Sequence, residues 1–405
     1  MNNKTTKQLL IVALLIALTA AALGIIISHK TKTDAQKERT GETVTEQEEA
    51  RADEEGIPLA TVFFASDYQA EPGFAAPADA LRGSMAAAKS DGKIIDSIVI
   101  CGDYTNDGVL HDYQLSPDES IEEIRGIAKE EIPGLSDDDM IFVQGNHDRL
   151  TGQITESGLH DEGDYLIYVL NTEEDFPWKQ GKKSGCLAKV TKASEAMKDC
   201  FDELILKGET RSVIIAGHVP LHFTARTSSR HSTGDNLYSS LIFNVVNEAA
   251  GSLDIVYLYG HNHSKGWDCY MGGSSVFRSK GDTILIPEFN EYKVDTDTYS
   301  EETLRFTYLN AGYTGYYMNC APAEYDEDDP DKYAAADTTL TGTVLEIYAD
   351  RIVATRYDSE GVHVLGHAGE GDPYKGGIDK DLIDVENYSK ETQSPFTIRR
   401  DSAKL

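Results

Sequence analysis

Five apolar runs, each five to eight residues long, recur along the chain: Pro58–Ala65, Ser97–Cys101, Met140–Gln144, Ser212–Ala216 and Asp254–Tyr259. Continuous runs of this length predict strands covered on both faces. Between them, stretches near 76–89, 117–130, 192–207 and 236–250 predict helices. Ser116, Pro117 and Glu119 mark the start of the second, as N-cap, proline at N1 and glutamate at N3. Strand and helix in alternation predict an α/β fold. After residue 265 strands follow without helices, around 283–287, 303–309, 341–348 and 351–357.

The N-terminus has a different pattern. Leu9–Ser28 is a run of 20 residues without a charge. As a helix it spans about 30 Å, the thickness of a bilayer hydrocarbon core. It predicts one N-terminal transmembrane helix, most simply an uncleaved signal anchor, because Ile25, Ile26 and Ile27 continue past the small residues Ala20–Ala22. Cleavage there would instead give a secreted protein. Lys4 and Lys7 precede the run and Lys30, Lys32, Lys37 and Arg39 follow it, so flanking charge does not fix orientation. A short tail before a large acidic body predicts a membrane-anchored protein with an extracytoplasmic body. Five domains or segments are expected: an anchor or signal segment over 1–32, a charged stalk over 33–56, the main domain over 57–322, an acidic loop over 323–338, and a C-terminal β extension over 339–405 that completes the second sheet.

Charge narrows the partners. The chain of 405 residues has 37 basic and 69 acidic side chains, a net charge of −32. Such a body repels a phosphate backbone, so nucleic-acid scaffold binding is not expected, nor is docking spread over an anionic membrane. The hydrophobic share of 40% supplies a sizeable core and excludes wholesale disorder. Cys101, Cys186, Cys200, Cys269 and Cys320 form no CxxC pair, which excludes a cysteine-rich zinc site and predicts small buried side chains, with one disulfide open to an exported domain.

Each of the five strand runs ends in a polar cluster. Ala65 leads to Asp67 and Gln69, Cys101 to Gly102, Asp103 and Asn106, and Gln144 to Gly145, Asn146, His147 and Asp148. Ala216 leads to Gly217 and His218, and Tyr259 to Gly260, His261 and His263. In an open α/β sheet the carboxyl ends of strands converge on the ligand crevice. Carboxylate, amide and imidazole brought together suit a pair of divalent ions such as Mn, Zn or Fe. A carboxylate between two such ions lets them clamp both oxygens of an in-line phosphoryl displacement.

The series of Asp67–Gln69, Gly102-Asp103 with Asn106, Gly145-Asn146-His147-Asp148, Gly217-His218 and Gly260-His261 with His263 resembles the calcineurin-like metallophosphoesterases over about residues 57–265. The resemblance implies a two-sheet α/β/β/α sandwich with two divalent metal ions at the strand ends, and a phosphate mono- or diester as substrate. It implies that Asp103 bridges the metals, that Asp67, Gln69 and His263 serve the first, and that Asn146, His218 and His261 serve the second. His147 would protonate the leaving oxygen or stabilise the transition state, with Asp148 orienting it, while a metal-bound hydroxide attacks phosphorus. Gln69 departs from the family pattern, which usually has histidine there. An amide oxygen is a harder, weaker donor, shifting that site toward Mn²⁺ or Ca²⁺. Gln69 alone favours the alternative, a degenerate member that binds a phosphorylated ligand or metal without turnover.

Other residues carry less chemistry. His222 reads as a surface residue or one behind the ligands before a phosphate contact, and the stretch Thr227–Thr233, with His231 and next to Arg226 and Arg230, could supply positive charge to a phosphate pocket. Trp178 with Phe176 lies in a long insertion suited to packing or to a lid. Asp326–Asp331 reads as a solvated acidic loop rather than a calcium site. His111, His160, His363 and His367 read as surface residues.

Overall fold

A computed structural model describes residues 56–69, 77–105, 116–149, 151–172, 174–175, 186–221, 238, 240–261, 279–290, 293–312, 314, 341–358 and 396–400. The N-terminal span, the stalk up to residue 55, the acidic loop, Phe176, Trp178, Asn106, His111, His222, Arg226, Arg230, His231, His263, His363, His367, Cys269 and Cys320 lie outside them. The chain divides into two units, Met1–Ile57 and Pro58–Leu405. Among the described residues no helix is long and apolar enough to cross a membrane.

The apolar runs become strands β1 (Ala60–Ala65), β2 (Ser97–Ile100), β3 (Met140–Phe142), β6 (Ser212–Gly217) and β7 (Ile255–Tyr259). The helices are α1 (Pro77–Ser90), α2 (Pro117–Glu131), α3 (Cys186–Lys207) and α4 (Ser240–Ala249). Ser116 caps α2 in a full capping box with Glu119, as its sequence predicts. Helix α3 begins earlier than expected because Cys186 and Val190 are buried on its core face.

Of the strands not anticipated, two, β4 (Gly158–Asp161) and β5 (Tyr165–Leu170), stand in the second sheet. They lie in the segment read only as an insertion, where Asp161, Glu162 and Asp164 interrupt the apolar pattern. Those acids form the turn of a hairpin whose second arm, β5, is buried at every position. Downstream, β8 (Thr283–Asn290) and β9 (Lys293–Thr303) pair as a separate hairpin, and β10 (Thr307–Asn310) joins β7 in parallel.

Two mixed sheets result. The first has six strands in the order β13-β12-β11-β1-β2-β3, and the second five in the order β10-β7-β6-β5-β4. Strands β11 (Thr341–Ile347), β12 (Arg351–Asp358) and β13 (Phe396–Arg399) supply the antiparallel half of the first sheet. The C-terminal extension was expected to complete the second sheet. It instead extends the first, because β11 pairs antiparallel with β1, Val62 opposite Leu345. That register aligns apolar residues of both strands on the same faces.

Alternation along each strand assigns its side chains to two cores. Val62, Phe64 and Val99 of the first sheet pack against Ile167, Ile214 and Val256 of the second. Phe63, Ile98 and Phe142 pack outward against Leu81, Met85 and Ile121 of α1 and α2. Leu166, Val213 and Tyr308 pack outward against Val190, Met197 and Phe243 of α3 and α4. Each such side chain contributes roughly 1.5–3 kcal/mol on burial. The sheets therefore face one another with helices outside, and β1, β2, β3, β6 and β7 each end in one of the polar clusters.

Candidate metal centre

The turns that follow these strands are unusual in backbone as well as in side chain. Asp67, Gln69, Asp103 and His261 have φ of 54°, 39°, 57° and 65°, and they are the non-glycine residues with positive φ among those described. Each such residue costs on the order of 1–3 kcal/mol. All four are residues the sequence nominates as ligands. The strain turns each chain sharply at the strand end and brings its side chain inward. Gly145 has no side chain for a related reason: a Cβ there would collide with the Asp103 carboxylate and backbone nitrogen.

Asp103 is the centre of the cluster, 1% exposed. Its Oδ2 lies 3.1 Å from His218 Nε2 and 3.9 Å from His147 Nε2. Asn146 Oδ1 lies 3.1 Å from the same His218 nitrogen. The ligand atoms of Asp103, His218 and His261 all fall within 4.8 Å of one another, and the two imidazole centroids are 5.3 Å apart. His218 Nδ1 is 2.5 Å from the Cys101 carbonyl oxygen. A carbonyl only accepts, so Nδ1 carries the proton and Nε2 is left as the ligating atom.

Asp67 and Gln69 stand beside this group. Asp67 is fully buried; its Oδ2 accepts the His261 backbone N–H at 2.9 Å, and its own N–H donates to the Gly102 carbonyl at 2.9 Å. The β1, β2 and β7 turns are thereby joined. The Gln69 backbone N–H donates to the Asp103 carbonyl at 2.9 Å.

His147 and Asp148 part company. The His147 ring is 25% exposed at the mouth of the cluster, and its backbone N–H donates to Asp103 Oδ1 at 3.0 Å. Asp148 is buried and makes no hydrogen bond to His147. Its carboxylate accepts backbone N–H groups from Asp103 and Gly145 at 2.7 Å and from Tyr104 at 2.8 Å. The structure thus gives Asp148 the work of bracing two motif turns, where sequence reasoning gave it the orientation of His147. Two of these donors are consecutive amides, those of Asp103 and Tyr104.

Asn171 was missed. It is fully buried at the end of β5; its Oδ1 accepts the Gln144 N–H at 2.8 Å and its Nδ2 donates to the Thr155 carbonyl at 2.9 Å. The signal was present, since the run Tyr165–Leu170 also ends in a polar residue.

The electrostatics call for a cation. Burial pushes the Asp103 carboxyl up, but the adjacent His218 and His147 imidazoles outweigh it and hold it well below the usual range. Burial pushes His218 down, yet the Asp103 carboxylate raises it above an ordinary histidine. Burial and then the Asp103 charge push Asp148 up. Among the described residues, Asp103 Oδ2 accepts no aligned hydrogen bond, and both amide atoms of Gln69, 1% exposed, are buried without a hydrogen-bond partner. An unpartnered buried polar group costs about 1–3 kcal/mol. Oxygen and imidazole donors left unused at one place fit a divalent metal.

Facing mixed sheets with carboxylate, amide and imidazole at their strand ends define an α/β protein with a candidate metal centre. The calcineurin-like phosphoesterase family profile matches residues 60–265, and the chain belongs to that family. Among solved structures, it is similar to a Vps29 single mutant from Entamoeba histolytica, at 12% identity over 74% of this chain and 92% of that one, with a TM-score of 0.26. It is similar to a predicted phosphoesterase from Streptococcus pneumoniae, at 11% identity over 77% and 94%, with a TM-score of 0.26. It is also similar to a 5'-nucleotidase from Candida albicans, at 12% identity over 82% and 56%, with a TM-score of 0.32. No curated protein matches the chain in sequence.

Proposed function

We propose that this chain hydrolyses a phosphate mono- or diester at a two-metal site. The convergence of Asp103, Asn146 and His261 on His218 is the observation that carries the reading. Asn146, His218 and His261 would hold one ion, Asp67, Gln69 and His263 the other, with Asp103 shared. When bound, such ions activate water and neutralise the phosphoryl oxygens.

The chain's own groups do the rest. The Cys101 carbonyl fixes the His218 tautomer. Asp148 holds the backbone of Asp103 and Gly145 in register. His147, partly exposed with its backbone tied to Asp103, is the group placed to give a proton to the leaving oxygen. The oxygen donor of Gln69 favours Mn²⁺ at the first site.

Gln69 also supports the second reading, binding without turnover. The test is release of p-nitrophenol from mono- and bis-p-nitrophenyl phosphate by the full chain with Mn²⁺ or Zn²⁺, alongside metal content. Turnover that chelation and Asp103→Asn both abolish is expected. Stoichiometric metal with no turnover of either substrate would establish the binder instead. The apolar run Leu9–Ser28 supports, on sequence grounds, a membrane anchor with an extracytoplasmic body.

A further inference from the structure

The parallel ladder between β1 and β2 slips by one residue where it meets the metal centre. In such a ladder a residue that donates its N–H to the neighbouring strand offers its own carbonyl to the residue two further along that strand. Cys101 donates its N–H to the Ala65 carbonyl at 2.8 Å, so its carbonyl is due to accept the Asp67 N–H. The Asp67 N–H goes to the Gly102 carbonyl instead, at 2.9 Å. The slip coincides with positive φ at Asp67, Gly102 and Asp103, of 54°, 83° and 57°. It releases the Cys101 carbonyl from the ladder.

A buried carbonyl without a partner is costly, and this one takes two donors. One is the His218 Nδ1–H of the second sheet, at 2.5 Å. The other is the Ser66 hydroxyl, which donates to the same oxygen at 2.9 Å. Both lone pairs of the oxygen are thereby filled. Ser66 is itself fully buried, and its own carbonyl accepts the Thr314 N–H at 3.1 Å. A Cβ on Gly260 would collide with Ser66 Oγ, so the bare glycine makes the room that the hydroxyl occupies. Gly260 in turn donates its N–H to the His218 carbonyl at 2.8 Å.

The Ser66 hydroxyl thus replaces the Asp67 N–H as the β1 donor to this carbonyl. In a regular ladder the carbonyl would lie in the plane of the first sheet, whereas His218 belongs to the second. Without the hydroxyl, pairing with the Asp67 N–H becomes the competing arrangement, and it draws the carbonyl away from Nδ1. We infer that Ser66 is a positioning residue of the metal centre: its hydroxyl holds the Cys101 carbonyl out of the ladder and facing His218, so that Nδ1 keeps its proton and Nε2 is kept for the ion. This rests on the reading of His218 as a metal ligand through Nε2.

The test uses the full chain with Zn²⁺ alone, by chelator competition, following the equivalent of zinc that His218→Asn removes. Ser66→Ala should weaken that equivalent by about tenfold or more. Ser84→Ala removes an equally buried hydroxyl, bonded to the Ala80 carbonyl within α1, and should leave it unchanged. Both variants should melt within about 4 °C of wild type. In the zinc-loaded chain with ¹⁵N-labelled histidine, the His218 Nδ1–H should exchange with solvent at least about tenfold faster in Ser66→Ala than in Ser84→Ala. Unchanged zinc affinity or unchanged Nδ1–H exchange in Ser66→Ala would overturn the role of Ser66 while leaving His218 a ligand. An equal loss in Ser84→Ala would reduce the effect to general loosening and overturn it as well. Zinc binding that His218→Asn does not alter would overturn the ligand reading itself, and the inference with it.

Discussion

The carboxylate of Asp148 is turned onto the backbone of Asp103, whose N–H it accepts at 2.7 Å, and away from the neighbouring His147 ring. The same oxygen accepts the Gly145 N–H at 2.7 Å, so one atom ties the β2 turn to the β3 turn. The proposed bridging residue is held by a second carboxylate behind it.

Asp148→Asn tests that relationship. An amide presents an NH2 group to at least one of the three backbone donors, leaving buried groups unpaired at about 2–3 kcal/mol. The melting temperature should fall by about 3–4 °C, and bound metal should fall with it. Loss of activity with unchanged melting temperature and metal content would instead mean that Asp148 acts through His147.

Gly145→Ala should be more damaging than its size suggests. The added methyl meets the Asp103 carboxylate and backbone nitrogen. Metal content and activity should drop by about tenfold or more, read by mass spectrometry and p-nitrophenyl phosphate hydrolysis. Gly126→Ala is the contrast: it lies inside α2 with open space around it, and should stabilise by about 0.5–1 kcal/mol.

Gln69 is buried, and both of its amide atoms are unpartnered among the described residues. Gln69→His should tighten the first metal and raise activity at limiting metal. Gln69→Ala should lower activity in a way that excess Mn²⁺ partly restores. An unchanged metal dependence of the rate in Gln69→Ala would remove Gln69 from the ligand set.

A pH signature is expected from the far edge of the second sheet. Arg211 pairs with Glu209 at 2.8 Å and with Asp161 at 2.7 Å. Hydrogen bonding to Arg211 lowers the Glu209 carboxyl from 4.5 to about 2. A carboxyl depressed on folding adds stability above its unfolded value and loses it as pH falls through the folded one. The stability gap between wild type and Glu209→Gln should therefore be full at pH 7 and close between pH 4.5 and about 2. Urea midpoints across that range measure it, and a constant gap would show the pair to be inert.

Protease added to intact cells should remove the body while sparing cytosolic controls, if Leu9–Ser28 anchors and exports it. Full protection of the body would reverse that topology.

The sequence by itself determined five core strands, the helices between them and the ligand types. Continuous apolar runs of this length suit covered strands, and the polar clusters behind them meet at the carboxyl ends of parallel strands. That logic placed Asp67, Asp103, Asn146, His218 and His261 together before any geometry, and Ser116 with Glu119 at the α2 cap. Tertiary structure decided what local pattern does not encode. Asp148 faces the backbone because three N–H groups from two turns converge on it, which spacing alone does not reveal. Strand β5 was hidden by the acids before it, although its burial between β4 and β6 makes it central and makes Asn171 a brace for the β3 turn. Strands β11 to β13 join the first sheet through pairing across nearly the whole length of the domain, with Ala60 opposite Ile347. The partners of a strand edge, like those of a buried carboxylate, are chosen by which groups remain unsatisfied once the rest of the chain has folded.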